Sequence, residues 1–216
     1  MNIQRRSNLE KEITIINNIT IKAQEAYLIV KYLQENEIDQ DVMYEKQMNT
    51  FFYYSRVIYW QMTIIELAKL LKEKEKFSLY SIIQKLKKDG EYSELKVPSL
   101  QIEKWEIVLE EQKQSIDNLK LQRDKIYVHE DGSDNISNLI PLTTITLFLD
   151  LAKEIILFLG KLLNLTHRMF DVINSPAVSL KGSISSIVAE KKNSMEKYRE
   201  LAKEYNLENE LPPQSS

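Results

Sequence analysis

Residues 98–129, PSLQIEKWEIVLEEQKQSIDNLKLQRDKIYVH, decide the fold. Ile102, Trp105, Leu109, Gln112, Ile116, Leu119, Arg123 and Ile126 follow one another at alternating steps of three and four. Side chains at those steps lie on one face of an α-helix, so the spacing draws a single stripe. Pro98-Ser99 opens the helix, since proline fits a first turn and serine an N-terminus. A strand would alternate with period two, and no run in the chain demands that.

The helical period continues upstream. Ser78 caps a short helix from Leu79 to about Lys87, which Asp89-Gly90 ends. Before it, Phe51 to Leu71 is apolar on nearly every side, with Arg56, Glu66 and Lys69 its only charges. A helix of that kind is expected at the centre of its bundle. The charge run Lys72 to Lys76 reads as its solvated end. Nearer the start, Ser7-Asn8-Leu9-Glu10 has the form of a capping box. Ile13, Ile16, Thr20, Ala23, Tyr27 and Val30 form the stripe that follows. Gln34 to Asp41 connects the two, and Asp39 or Asp41 would cap the second helix.

Downstream, Glu130-Asp131-Gly132-Ser133-Asp134 reads as a turn. Pro141 then precedes a long helix with Leu149, Ala152, Ile156, Leu159, Leu163, Thr166, Phe170 and Ile173 on one face. The expected fold is all-α, an antiparallel bundle of four to five main helices plus a short C-terminal helix. Residues 1–173 would form the bundle and 174–187 a linker containing Ser175-Pro176 and Gly182-Ser183. A polar helix over 188–206 and a disordered tail over 207–216 would complete the chain.

Composition narrows the function. The absence of Cys excludes a disulfide framework, thiol catalysis and a thiolate zinc site. The first thirty residues lack the pattern of a signal peptide. The most apolar region, Leu142 to Leu165, is broken by Asp150, Lys153, Glu154 and Lys161, which argues against a membrane span. These readings place the protein in the cytoplasm, without a membrane partner. A net charge of −3 gives no global attraction for nucleic acid, so any phosphate site must be local. No glycine loop that could cradle phosphates occurs.

Arg123 is the exceptional residue, because the stripe reserves its position for an apolar side chain. A buried guanidinium costs several kcal/mol unless paired, so it either reaches outward or meets a carboxylate such as Glu66. His129 follows six residues later, about 240° around and roughly 9 Å along an ideal helix. It can serve as a turn residue at a helix C-terminus, where the dipole favours an imidazolium, or border a patch shared with Arg123. Other groupings are weaker. His167 and Asp171 are two residues at i,i+4 and do not make a metal site. Glu10/Glu12, Glu73/Glu75 and Glu110/Glu111 lack the apolar setting of paired acid–base carboxylates. Tyr53, Tyr54, Tyr59 and Trp60 could stack on bases but fit better as core of the central helix.

Arg123, Asp124 and His129, with five residues between Arg and His, resemble the motif of the HEPN superfamily of helical, nucleic-acid-associated domains. The string from Leu119 through Arg123-Asp124-Lys125 to His129-Glu130-Asp131 is similar to the signature of its abortive-infection type. Phe51 to Leu71 followed by Phe77 to Ile83 resembles that group too. The resemblance implies a metal-independent endoribonuclease without cofactors, acting as a toxin or antiphage effector. It further implies a homodimer with paired motifs, RNA as substrate and a cognate antitoxin such as a nucleotidyltransferase-like protein. Arg123, His129 and Asp124 would be catalytic, and Lys120, Lys125 and Tyr127 would bind substrate. The alternative is a non-catalytic helical module that binds RNA, a nucleotide or a partner protein.

Overall fold

A computed structural model describes residues 1–35, 49–128, 140–165 and 176–204. Among them the chain is all-α, with no strand. Its helices are α1 (Ile3–Glu35), α2 (Asn49–Leu71), α3 (Leu79–Leu86), α4 (Ser99–Glu111), α5 (Lys113–Val128), α6 (Leu142–Leu163) and α7 (Pro176–Glu204). A 3-10 turn over Ser93–Leu95 joins α3 to α4. No helix among the described residues is long and apolar enough to cross a membrane.

The stripe on α1 is buried throughout, from Leu9 and Ile13 to Tyr27 and Val30. It packs on the C-terminal half of α2 (Ile64, Leu67, Ala68, Leu71) and on α6 (Ile145, Phe148, Ala152, Ile156, Leu159). Both neighbours run antiparallel to it. The Tyr27 hydroxyl meets the Leu142 carbonyl (3.1 Å) and the Thr146 hydroxyl (2.7 Å) at the start of α6. At the other end Arg6 donates through Nη2 to the Leu163 carbonyl (2.8 Å). A cation there satisfies one of the last carbonyls of α6 and opposes its negative dipole end. Near the end of α1, Ile29 and Leu33 meet Phe52 from the start of α2.

α1 begins at Ile3, ahead of the expected start at Ser7. The Asn2 side chain accepts the Arg5 backbone N–H at 2.8 Å and caps the helix five residues before Ser7. The Ser78 cap is present, accepting from the Ser81 N–H at 3.1 Å. The stripe from Ile102 to Arg123 is not one helix. It divides at Gln112 (φ −96°, ψ 12°) into α4 and α5, yet Ile102, Trp105, Leu109, Ile116 and Leu119 stay buried across the break.

α6 stops at Leu163 instead of continuing through Thr166. Asn164 takes the left-handed conformation (φ 52°), and the Leu165 N–H returns to the Gly160 carbonyl at 2.9 Å. Asparagine tolerates that conformation without glycine, so the stop is hard to see beforehand. Thr166, Phe170, Ile173, His167 and Asp171 lie outside the described residues. So do Asp39, Asp41, the Glu130–Asp134 turn and the tail.

The expected linker is mostly helix. Pro176 opens α7 as a first-turn proline, and Leu180 and Ile184 pack against Ile29, Leu33 and Phe52. This burial carries the helix through Gly182. A side chain at Gly182 would meet nothing within 4 Å, whereas one at Gly90 would strike the Lys85 and Gln84 carbonyls.

α4 is fastened to α6 at Glu154. One carboxylate oxygen accepts from Gln101 (3.0 Å), Lys104 (2.8 Å) and the Trp105 indole (3.1 Å). The Trp105 ring meets Phe158 edge-on at 5.4 Å between centroids. Burial raises the Glu154 pKa, but the bonds from Lys104 and Trp105 outweigh it and hold it below its ordinary value of 4.5.

Gly182→Ala should stabilise α7 by about 0.5–1 kcal/mol, the helix-propensity difference, while Gly90→Ala should lower stability. Thermal denaturation of both variants checks this. A depressed folded pKa means that the Glu154 contribution is present above the unfolded pKa and is lost as pH falls through the folded one. Glu154→Gln should therefore be less stable than wild type at neutral pH. In denaturant titrations the gap should close as pH is lowered through the carboxylate range.

Candidate functional site

The candidate site lies at the end of α5. Ile116 and Leu119 anchor one face of this helix in the core, and Arg123 is next on that stripe. Its side chain is only 21% exposed, yet its charged end finds a partner at the surface. Nε (2.9 Å) and Nη2 (2.6 Å) both donate to Oδ1 of Asp124, itself more than half exposed. The stem covers apolar surface while the charge reaches out.

Glu66 is not the partner of Arg123. It is bound by Lys69 at 2.7 Å, one helical turn away on α2, where a local i,i+3 cation reaches it more readily than a distant one. Of the substrate-binding candidates, Lys120 lies one turn before Arg123 and is held by Asp117 at 3.0 Å. Lys125 and Tyr127 are carried on the last turn of α5. His129, Glu130 and Asp131 lie outside the described residues. The structure thus brings Arg123, Asp124 and Lys120 onto two successive turns of one helix.

A further element borders the site. Lys72 binds Glu75 at 2.8 Å in the connection between α2 and α3. Glu75 is held below its ordinary pKa by that hydrogen bond and charge, and the positive charge of Arg123 adds to the effect. Glu75, with Lys72 bound to it, is therefore an electrostatic neighbour of Arg123. The sequence shows them only as part of a charge run; the packing of α5 on α2 supplies the neighbourhood. A shallow groove of about 520 Å³ continues from Glu75 past Lys76 and Tyr80 to Lys85. Burial, then the carboxylates of Glu73, Glu110 and Asp117, raise the Tyr80 phenol to about 12, which keeps it protonated as a hydrogen-bond donor.

A second polar cluster lies where α3 meets α1. Lys85 binds Glu12 at 2.6 Å, with Glu91 at 3.9 Å, and its ammonium stands 5.7 Å from the centre of the Tyr92 ring. Burial and then the Glu12 carboxylate push the Tyr92 phenol up. Pairing and burial make this cluster a structural fastening between the helices. Among the described residues no group of three or more His, Asp or Glu side chains is arranged to hold a metal ion.

Tyr53 and Tyr54, expected in the core, are about half exposed. In the first half of α2 only Phe52 is deeply covered, by Ile29 and Leu33 near the end of α1. Compared with family models, with curated proteins and with solved structures, the chain finds no match.

Because the Arg123–Asp124 pair is at the surface, Arg123→Ala should cost no more than about 1 kcal/mol of folding stability. Chemical denaturation checks this; a core-locked arginine would cost several times as much.

Proposed function

We propose that the protein is a HEPN-type, metal-independent endoribonuclease, cytoplasmic, acting as a toxin or antiphage effector. The observation that carries this reading is the placement of Arg123. Its guanidinium is not consumed by Glu66; Asp124 clamps the edge formed by Nε and Nη2, and Nη1 donates no hydrogen bond among the described residues. An oriented guanidinium with one edge available suits a phosphate oxygen.

In this mechanism the 2′-hydroxyl of a ribose attacks the adjacent phosphorus and the bond to the 5′-oxygen breaks. The products are a 2′,3′-cyclic phosphate and a 5′-hydroxyl. His129 takes the 2′-hydroxyl proton or delivers one to the leaving oxygen, since an imidazole titrates near neutral pH. Arg123 stabilises the charge that builds on the non-bridging oxygens. Asp124 orients Arg123, Lys120 and Lys125 draw the RNA backbone, and Tyr127 contacts ribose or base. The resemblance also supplies a homodimer, needed to pair two motifs, and a cognate antitoxin such as a nucleotidyltransferase-like protein.

A second reading is a non-catalytic module that binds RNA, a nucleotide or a partner protein. Two observations favour it. Asp117, Asp124 and Glu75 offset the cations around Arg123, and α2 exposes an aromatic face better suited to protein than to phosphate.

The test is cleavage of total RNA by purified protein in the presence of a metal chelator. Wild type should leave 2′,3′-cyclic phosphate ends. His129→Ala and Arg123→Ala, both folded, should lose activity by at least about 100-fold. Equal behaviour of all three would leave the binding module as the better account.

A further inference from the structure

The outward face of α3 is the floor of the groove that begins beside the Arg123 site. Leu79, Ile82, Ile83 and Leu86 are buried, which leaves Tyr80, Ser81, Gln84 and Lys85 on the opposite side of the helix. Residues 73–76 form the wall, and the groove holds about 520 Å³. Small-molecule sites commonly fall in the range of roughly 300–1,000 Å³. Glu75 belongs both to this wall and to the surroundings of Arg123, whose charge it feels. A strand with its phosphate on Arg123 would therefore have the groove alongside.

The groups in the groove select what can lie there. The carboxylates of Glu73, Glu110 and Asp117 all bear on the Tyr80 phenol, so a second phosphate would be repelled. An uncharged ring escapes that cost and can stack on a tyrosine. Gln84 gives its amide nitrogen to Glu106 at 3.2 Å. A carboxylate only accepts, so this bond fixes which way the amide is turned and leaves the Gln84 carbonyl oxygen as an acceptor. We infer that the groove holds a nucleobase with an exocyclic amine, the one beside the phosphate on Arg123, stacked on Tyr80 with its amine on the Gln84 carbonyl oxygen. Cytosine carries such an amine; uracil, the same size, puts a carbonyl oxygen in its place and would set acceptor against acceptor.

The inference rests on the Arg123 site of the proposed function and adds the base that this site prefers. Binding and cleavage are read apart, so the two can fail separately. End-labelled 2′-O-methyl hexamers of cytosine and of uracil would be titrated with the full chain and followed by fluorescence anisotropy. Wild type should bind the cytosine hexamer at least about 10-fold more tightly, since a site built to pair a donor rejects the analogue that lacks it. Gln84→Leu, at an exposed position, should erase the preference. Tyr80→Leu should weaken both hexamers by about 10-fold through lost stacking. Tyr198→Leu, on the exposed side of α7, should behave as wild type. Circular dichroism checks that each variant folds. A preference that Gln84→Leu abolishes would support the inference even if no RNA is cut, and the nuclease reading alone would then fail. Equal affinity of wild type for the two hexamers would overturn the inference even if RNA is cut. So would a preference that survives Gln84→Leu, or no binding of either hexamer, which would leave the groove to a peptide.

Discussion

Burial of the α1 stripe is the constraint on which the rest of the structure depends. From Leu9 to Leu33 the helix turns one continuous face inward, and α2, α6 and α7 each gain their cover from it. Each large side chain removed from water contributes on the order of 2 kcal/mol, so the seven buried along α1 outweigh any single polar contact. The polar groups on the stripe are accommodated within it. Thr20 returns its hydroxyl to the Ile16 carbonyl at 2.8 Å, and Tyr27 spends its hydroxyl on the start of α6. With α2 and α6 both antiparallel to α1, the remaining helices have few places to go. α5 lies on α2, and α4 reaches α6 through Glu154 and Trp105.

Much of this order is legible in the sequence because burial writes itself as a period. The stripes on α1 and over Ile102–Leu119 name the core correctly, and Ser78 marks a cap by the chemistry of its hydroxyl. What escapes notice is set by tertiary contact. Gln112 divides a stripe whose period runs on unbroken. Asn164 ends α6 where the apolar pattern continues. The Gly- and Ser-containing stretch after Pro176 becomes helix because Leu180 and Ile184 find the end of α1. Composition alone made α2 central; the structure buries only its second half and leaves the first half as a surface.

The candidate site divides in the same way. Arg123 stands out as a charge on an apolar stripe, and its exit toward Asp124 follows from its long side chain and its neighbour in sequence. The nearness of Lys72 and Glu75 could not be read, since it arises from α5 packing on α2. Local charge is nearly balanced there, with Asp117, Asp124 and Glu75 set against Lys120, Arg123 and Lys72. Affinity for an RNA backbone would therefore come from oriented donors more than from a basic field, which makes the edge of Arg123 that has no partner among the described residues central to the functional account.

Binding at that edge can be followed at the Nε–H of the same guanidinium. The chain has six arginines, few enough for their Nε–H signals to be resolved by nitrogen-15 NMR and assigned by substitution. The wild-type protein would be titrated with a short oligoribonucleotide whose 2′-hydroxyls are methylated, so that it binds without being cleaved. The account predicts that the Arg123 signal shifts in a saturable way, ahead of the other five. An Arg123 signal that stays in place at saturating oligonucleotide, or shifts no more than the surface arginines, would contradict it.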